Sequence, residues 1–410
     1  MAFLGKTFIA GTEFLDGKFK SGISFSTSRK SPISYTYETP NSNWQVEFQK
    51  NSTDVVARTP QVFSFEQLQS QGFEIIQSAL DILSVKGVFS TNLENPARSN
   101  NGVYCTNGKS IAYVYSLLDL GMNMSVNMTQ TDSSGNVINP PLPPEPVWNE
   151  SFRYYRLSQS STDLFEAYRN LFLAFEALLN HICPKNRREG EGAWLRRSLG
   201  IINSRVNLSQ FTQTENEDPI DYIFNSQYRD IRCNLQHAKF PSATLPHSLL
   251  GPSEVKQAYS ELVKIWRSIA GDYLNVPTAG GVVTYAGFEH MMANVSEQGV
   301  SLFYTSDNSP PQKQDTKISP NGKPAYECIS TKYKGQTKPG VIRLVGYEDT
   351  SELEEQYINP IYRFCSKAES ALIGVVYVEQ GMIVSGVDGL EIIQEYRLIN
   401  SSQPKTEFKT

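Results

Sequence analysis

The chain of 410 residues is too long for one typical core and points to two or three domains. Its 39% hydrophobic and 19% charged residues are the balance of a soluble globular protein, and its formal net charge is −5. That charge excludes a protein that tracks long nucleic acid over a broad basic surface, but it leaves room for a small local phosphate site.

Residues 1–138 read as a β-rich α+β domain. "KTFIAGTEF", "GISFSTS", "PISYTYET", "WQVEFQK" and "TDVVART" are β-branched or aromatic runs separated by Gly, Pro, Ser or Asn. One helix interrupts them, opened by a capping box of Ser64 and Gln67 ahead of Phe65, Leu68, Ile75, Ile76, Ala79, Leu80 and Leu83. The opening "MAFLGKTFIAGTEFLDG" is broken by Gly, Thr and Glu too early for a secretory leader, and no run approaches a membrane span. Cys105, Cys183, Cys233, Cys328 and Cys365 are scattered without a CxxC pair, so reduced thiols in a cytoplasmic protein are expected, with no metal site and no cofactor. Five prolines in "NPPLPPEPVW" mark residues 139–148 as a stiff linker.

Residues 149–276 change character to amphipathic helices, with four expected in a compact bundle. The first runs through "TDLFEAYRNLFLAFEALLNHI" from a cap at Asp163, and the second through "GAWLRRSLGIINS". The third, "DPIDYIFNSQYRDIRCNLQHAKF", has Asp218 as cap and Pro219 at the first helical position; "SEVKQAYSELVKIWRSIAGDYL" is the fourth. A second break at "NVPTAGG" leads to a C-terminal α+β domain, 277–410. Its strand candidates are "GVVTYAGF", "VSLFYTS", "AYECISTKY", "GVIRLVGYE", "ALIGVVYVEQG" and "LEIIQEYRLI", with a helix starting near Ser351–Glu354. The expected fold is therefore a multidomain α+β protein, with a central four-helix bundle between two β-rich domains.

The third helix carries the candidate chemistry. On an ideal wheel of about 100° per residue, Ile220, Phe224, Tyr228, Ile231, Leu235 and Ala238 form one apolar stripe. Asn225, Ser226, Arg229, Arg232, Cys233, Gln236 and His237 share the polar face, with Arg232 and His237 at its two edges, and Asn234 falls away from it. An Arg ahead of a His at this spacing is common by chance, so the helical setting and not the spacing gives the pair its weight. The plainer alternative is a solvent-facing helix with satisfied polar side chains.

Arg232-x4-His237 in this setting resembles the R-x4-6-H ribonucleases of the HEPN superfamily, over residues 150–275. "RYYRLSQSSTDLFEAYRNLFLAFEALL" is, more faintly, similar to HEPN-like proteins near a methylamine-utilisation accessory family. The resemblance implies a metal-independent RNA endonuclease of the toxin or phage-defence type, acting as a homodimer. It would make His237 the base on a ribose 2′-hydroxyl and Arg232 the group that stabilises the phosphate. Arg229, Cys233, Asn234 and Gln236 would support the site, and Lys185, Arg187, Arg188, Arg196 and Arg197 would contact RNA. In the family the residue after the Arg is usually Asn, Asp or His, whereas here it is Cys233. The other expectation is a catalytically silent accessory protein that uses the same face for dimerisation or ligand binding.

Overall fold

The computed structural model describes residues 2–10, 18–41, 43–94, 96, 98–121, 129–138, 144–214, 216–236, 252–277, 283–312, 315–350, 360–369, 371–399 and 408. In chain order the first elements are β1 (Ala2–Leu4), β2 (Thr7–Phe8), β3 (Ser21–Thr27), β4 (Tyr35–Glu38), β5 (Gln45–Phe48), β6 (Asp54–Thr59), α1 (Phe65–Val85), β7 (Leu93–Glu94), β8 (Ser99–Thr106) and β9 (Lys109–Gly121). There follow β10 (Gln130–Thr131), β11 (Val137–Ile138), α2 (Ser151–Ser160), α3 (Leu164–Ile182), α4 (Glu191–Asn203), a 3-10 turn (Leu208–Phe211), α5 (Pro219–Ile223), a π-helix (Phe224–Arg232), α6 (Cys233–Gln236) and α7 (Pro252–Leu274). The last are α8 (Tyr285–Glu297), β12 (Val300–Thr305), β13 (Ala325–Glu327), β14 (Ser330–Lys338), β15 (Val341–Asp349), β16 (Ile361–Ala368), β17 (Ala371–Val384) and β18 (Gly389–Ile399).

This arrangement corrects the expected fold class. The chain is a sheet-rich α+β protein, not a four-helix bundle between two independent β-rich domains. One unit is built from both flanks, Met1–Leu120 and Tyr285–Ile399, and the other from Gly121–Thr284 with Asn400–Thr410. Among the described residues a ten-stranded sheet runs β14-β15-β18-β9-β8-β3-β6-β5-β4, with β7 also paired to β3. A six-stranded sheet runs β13-β12-β16-β17-β1-β2, so the chain start pairs near the chain end, Phe3 opposite Ile383. The physical reason is burial. β9 and β18 bury residues on both faces, and such strands need partners on both edges and cannot stand as the rim of a small domain.

Local chemistry sets several of these elements. Asn107 and Gly108 take positive φ (49° and 75°) in the tight turn joining β8 to β9, the conformation that twists with a hairpin. Ser64 and Gln67 cap α1 reciprocally, as its sequence predicts. Gly72 lets α1 lie close on the sheet, because a Cβ there would stand 2.2 Å from Ile23 Cγ2. Residues 285–288, expected to extend a strand, instead begin α8. The helix expected from Ser351–Glu354 lies outside the described residues, as does 139–143 of the proline-rich stretch.

The helical unit also departs from a bundle of four. α2 is an additional helix ahead of α3, and the expected third helix is a composite of α5, the π-helix and α6. The core lies between α3 and α7: Leu171, Phe172, Phe175, Leu178 and Leu179 meet Tyr259, Leu262, Trp266 and Ile269. Tyr155 of α2 stacks on Trp266 at 4.2 Å, and the Trp266 indole N–H donates to the Ala174 carbonyl (3.2 Å). Phe408 covers Tyr259 edge-on at 5.1 Å. Among the described residues no helix is long and apolar enough to cross a membrane.

Candidate active site

The composite helix begins as its sequence predicts. Asp218 accepts from the backbone N–H of Ile220 (2.8 Å) and Asp221 (3.3 Å), and Pro219 occupies the first turn. From Phe224 the ladder widens to a π-helix, and the Cys233 N–H donates to Tyr228, five residues back. Each widened turn holds about one residue more than an α turn, so a wheel drawn at about 100° per residue misplaces the residues beyond it. Gln227, which even a regular wheel sets beside the apolar stripe, is fully buried although polar. The Tyr168 hydroxyl of α3 donates to its main-chain carbonyl (2.7 Å), with Gln227 Oε1 at 3.1 Å.

Arg232, at the edge of the polar face next to Tyr228, is half-buried. Its side chain is 19% exposed, and its Nη2 donates to Glu191 Oε1 at 2.9 Å and stands 3.8 Å from Glu176 Oε1. The guanidinium also lies over the rings of Tyr228 (5.3 Å) and Phe172 (5.8 Å). Tyr228 donates its hydroxyl to the other Glu191 oxygen (3.2 Å), so the Glu191 carboxylate is held from both sides. Arg232 Nε is buried and has no hydrogen-bond partner among the described residues. A cavity of about 160 Å³ adjoins these groups, lined by Tyr168, Arg169, Phe172, Glu176, Arg232 and Leu235, with Leu173 42% exposed beside it.

Two carboxyls this close do not ionise independently. Burial, then the hydrogen bond to Glu191 and that group's charge, push Glu176 up to about 7, against the opposing pull of Arg232 and Lys185. Burial by itself would raise Glu191 too. The hydrogen bond from Glu176, the Arg232 charge and the Tyr228 hydroxyl outweigh it and hold Glu191 below the ordinary carboxylate range. The proton of the pair thus sits on Glu176 in preference to Glu191, beside one guanidinium, and is given up as pH rises through about 7.

The remaining sequence candidates scatter. Arg229 is exposed, Cys233 is half-buried, and Asn234 Nδ2 turns back to the Asp230 carbonyl (2.6 Å). His237 and the Gln236 side chain lie outside the described residues. Lys185, Arg187 and Arg188 are exposed on the loop between α3 and α4. Arg196 is instead occupied by Asp221 (3.1 Å) and by the Phe224 ring at 3.5 Å. Arg197 binds both Glu189 oxygens (2.7 Å each), the Pro184 carbonyl and Cys183 Sγ, which makes it a clamp on that loop. Glu176, Glu191, Tyr168 and Tyr228 are absent from the sequence candidates. Glu176 did leave a signal, as the one charged residue in the apolar run Leu171–Leu179, where a lone charge must find a partner.

No protein-family model matches the chain, and no curated protein or solved structure is significantly similar to it.

Proposed function

We propose that the protein is a cytoplasmic, metal-independent RNA endonuclease of the toxin or phage-defence type, with Arg232 as its phosphate-binding group. One observation carries the reading: the Arg232 guanidinium borders a cavity with its Nε–H unpaired and its Nη2 only partly used. The Nε and Nη2 edge of a guanidinium is the fork that takes two oxygens of a phosphate, and a buried donor without a partner gains by binding one. In this reading His237, the next polar position after α6, removes the proton of a ribose 2′-hydroxyl, its ordinary pKa suiting that task near neutrality. The freed oxygen attacks the adjacent phosphorus, Arg232 stabilises the charge that grows on the phosphate oxygens, and a 2′,3′-cyclic phosphate and a 5′-hydroxyl result. The reading keeps the homodimer that the sequence resemblance implies, and light scattering of the full chain measures it.

A second reading is favoured by the 2.9 Å contact of Arg232 with Glu191, which already neutralises the guanidinium. Under it the protein is a catalytically silent binding or accessory protein, and the cluster only ties α3, α4 and the composite helix together. Cleavage of RNA and of an all-deoxy strand by the wild type, Arg232→Ala and His237→Ala separates the two. The ribonuclease reading expects RNA cut by the wild type alone and DNA spared, since DNA lacks the 2′-hydroxyl. Equal residual cleavage by all three proteins supports the silent reading.

A further inference from the structure

Helix α2 (Ser151–Ser160) engages the rest of its unit through one face. Tyr155 stacks on Trp266, Phe152 meets the same indole edge-on at 5.9 Å, and the Tyr259 hydroxyl accepts from Gln159 Nε2 (2.9 Å) and the Ser158 hydroxyl (3.4 Å). At about 100° per residue from Arg153, these four fall between about 140° and 260°. Arg153, Tyr154, Arg156, Leu157 and Ser160 take the opposite side, and all five are exposed. No carboxylate lies on α2, although the whole chain carries a net charge of −5. Among the described residues the side chains of Arg153 and Arg156 have no ion pair or hydrogen bond, whereas Arg196, Arg197, Arg205 and Arg232 of the same unit are each paired.

Trp148 stands at the entry to this helix. The Val147 N–H donates to the Leu274 carbonyl (2.9 Å), and buried Asn149 accepts from the Ser151 N–H (2.9 Å). The backbone is thus held on both sides of Trp148, yet the residue is 68% exposed. A large ring on an anchored backbone loses little freedom when it meets a flat partner.

Unpaired guanidinium groups attract phosphates, and exposed aromatic rings stack on open bases. We propose that α2 and Trp148 form a docking surface for single-stranded RNA, with bases on Trp148 and Tyr154 and phosphates on Arg153 and Arg156. RNA as the occupant rests on the ribonuclease reading, whereas the chemistry of the face does not. A membrane surface fits it less well, because an interfacial helix needs a broad apolar face and Phe152 and Tyr155 are turned onto Trp266. Paired RNA fits less well too, because its bases already stack on one another.

The test is binding of a single-stranded 2′-O-methyl RNA of about twelve nucleotides to the full chain, read by tryptophan fluorescence and by anisotropy of a labelled strand. Such a strand has no free 2′-hydroxyl, so it stays whole under the chemistry proposed above. Trp44, Trp194 and Trp266 are 6%, 4% and 2% exposed, so quenching by the strand reports Trp148. Trp148→Ala should abolish the quench and weaken binding by roughly five- to hundredfold, the range for one stacked base. Trp148→Phe should lose the quench and keep most of the affinity. Arg153→Gln combined with Arg156→Gln should flatten the slope of log affinity against log salt by about 1.4, since each phosphate contact on a single strand contributes about 0.7. These side chains are all exposed, so the variants should melt as the wild type does. Binding that no variant weakens, equal binding of the fully paired duplex, or quenching by phosphatidylserine vesicles with none by the strand overturns the proposal. Failure of the ribonuclease reading looks different: the strand still binds and quenches, but unmodified RNA stays uncut.

Discussion

Arg232 and Glu191 are each less than one third exposed, so each depends on the other for its charge. Glu191→Gln should therefore destabilise the fold by about 1.5 to 3 kcal/mol in chemical denaturation, the range for a hydrogen bond to a charged group. It should also move the Glu176 titration to lower pH, because the charge that opposes Glu176 ionisation is gone; carbon NMR of labelled glutamate carboxyls reads this directly. Asp54, at the start of β6, offers a separate check. Burial raises its carboxyl from 3.8 to about 6, with Glu379 adding to the rise against hydrogen bonds from Ser26 and Ser52. The folded state thus prefers the proton, and its advantage is complete below about pH 4 and lost as pH climbs through about 6. Asp54→Asn should be more stable than the wild type at pH 8, by at most about 3 kcal/mol, and equal to it near pH 4. Denaturation midpoints at the two pH values test that sign.

At the level of elements, the sequence was most legible where a cap and a regular period coincide. The Ser64–Gln67 box and the Asp163 cap are both where the pattern puts them. It was least legible in the composite helix, because a period of 3.6 residues carries no mark of where a wider turn begins. In this composite helix Arg232 stands in a half-buried ion pair and not on a wet face, and Gln227 lies in the core. Tyr168 supports the helix through the Gln227 carbonyl. Tyr168→Phe leaves buried acceptors without their donor, and a loss of about 1 to 3 kcal/mol is expected in urea denaturation. The partners of Arg232 come from α4 and α3, 41 and 56 residues away by subtraction of their numbers (232 − 191 and 232 − 176), so no local pattern could reveal them.

For the whole molecule, strand runs were readable on both flanks but their pairing was not. Alternation names the residues of a strand, and it is silent on whether β9 meets β18 or closes a sheet near itself. Because both sheets draw strands from both chain ends, residues 1–120 alone should lack a cooperative thermal transition, and co-expression with 285–399 should restore one. The helical middle carries the functional claim, and the chemistry of its product tests that claim most directly. RNA incubated with the full chain in the presence of a chelator should yield fragments ending in 2′,3′-cyclic phosphate and 5′-hydroxyl, with the rate lowered about a hundredfold or more by Arg232→Ala. Fragments ending in 3′-hydroxyl and 5′-phosphate, or cleavage that Arg232→Ala leaves unchanged, would contradict the account.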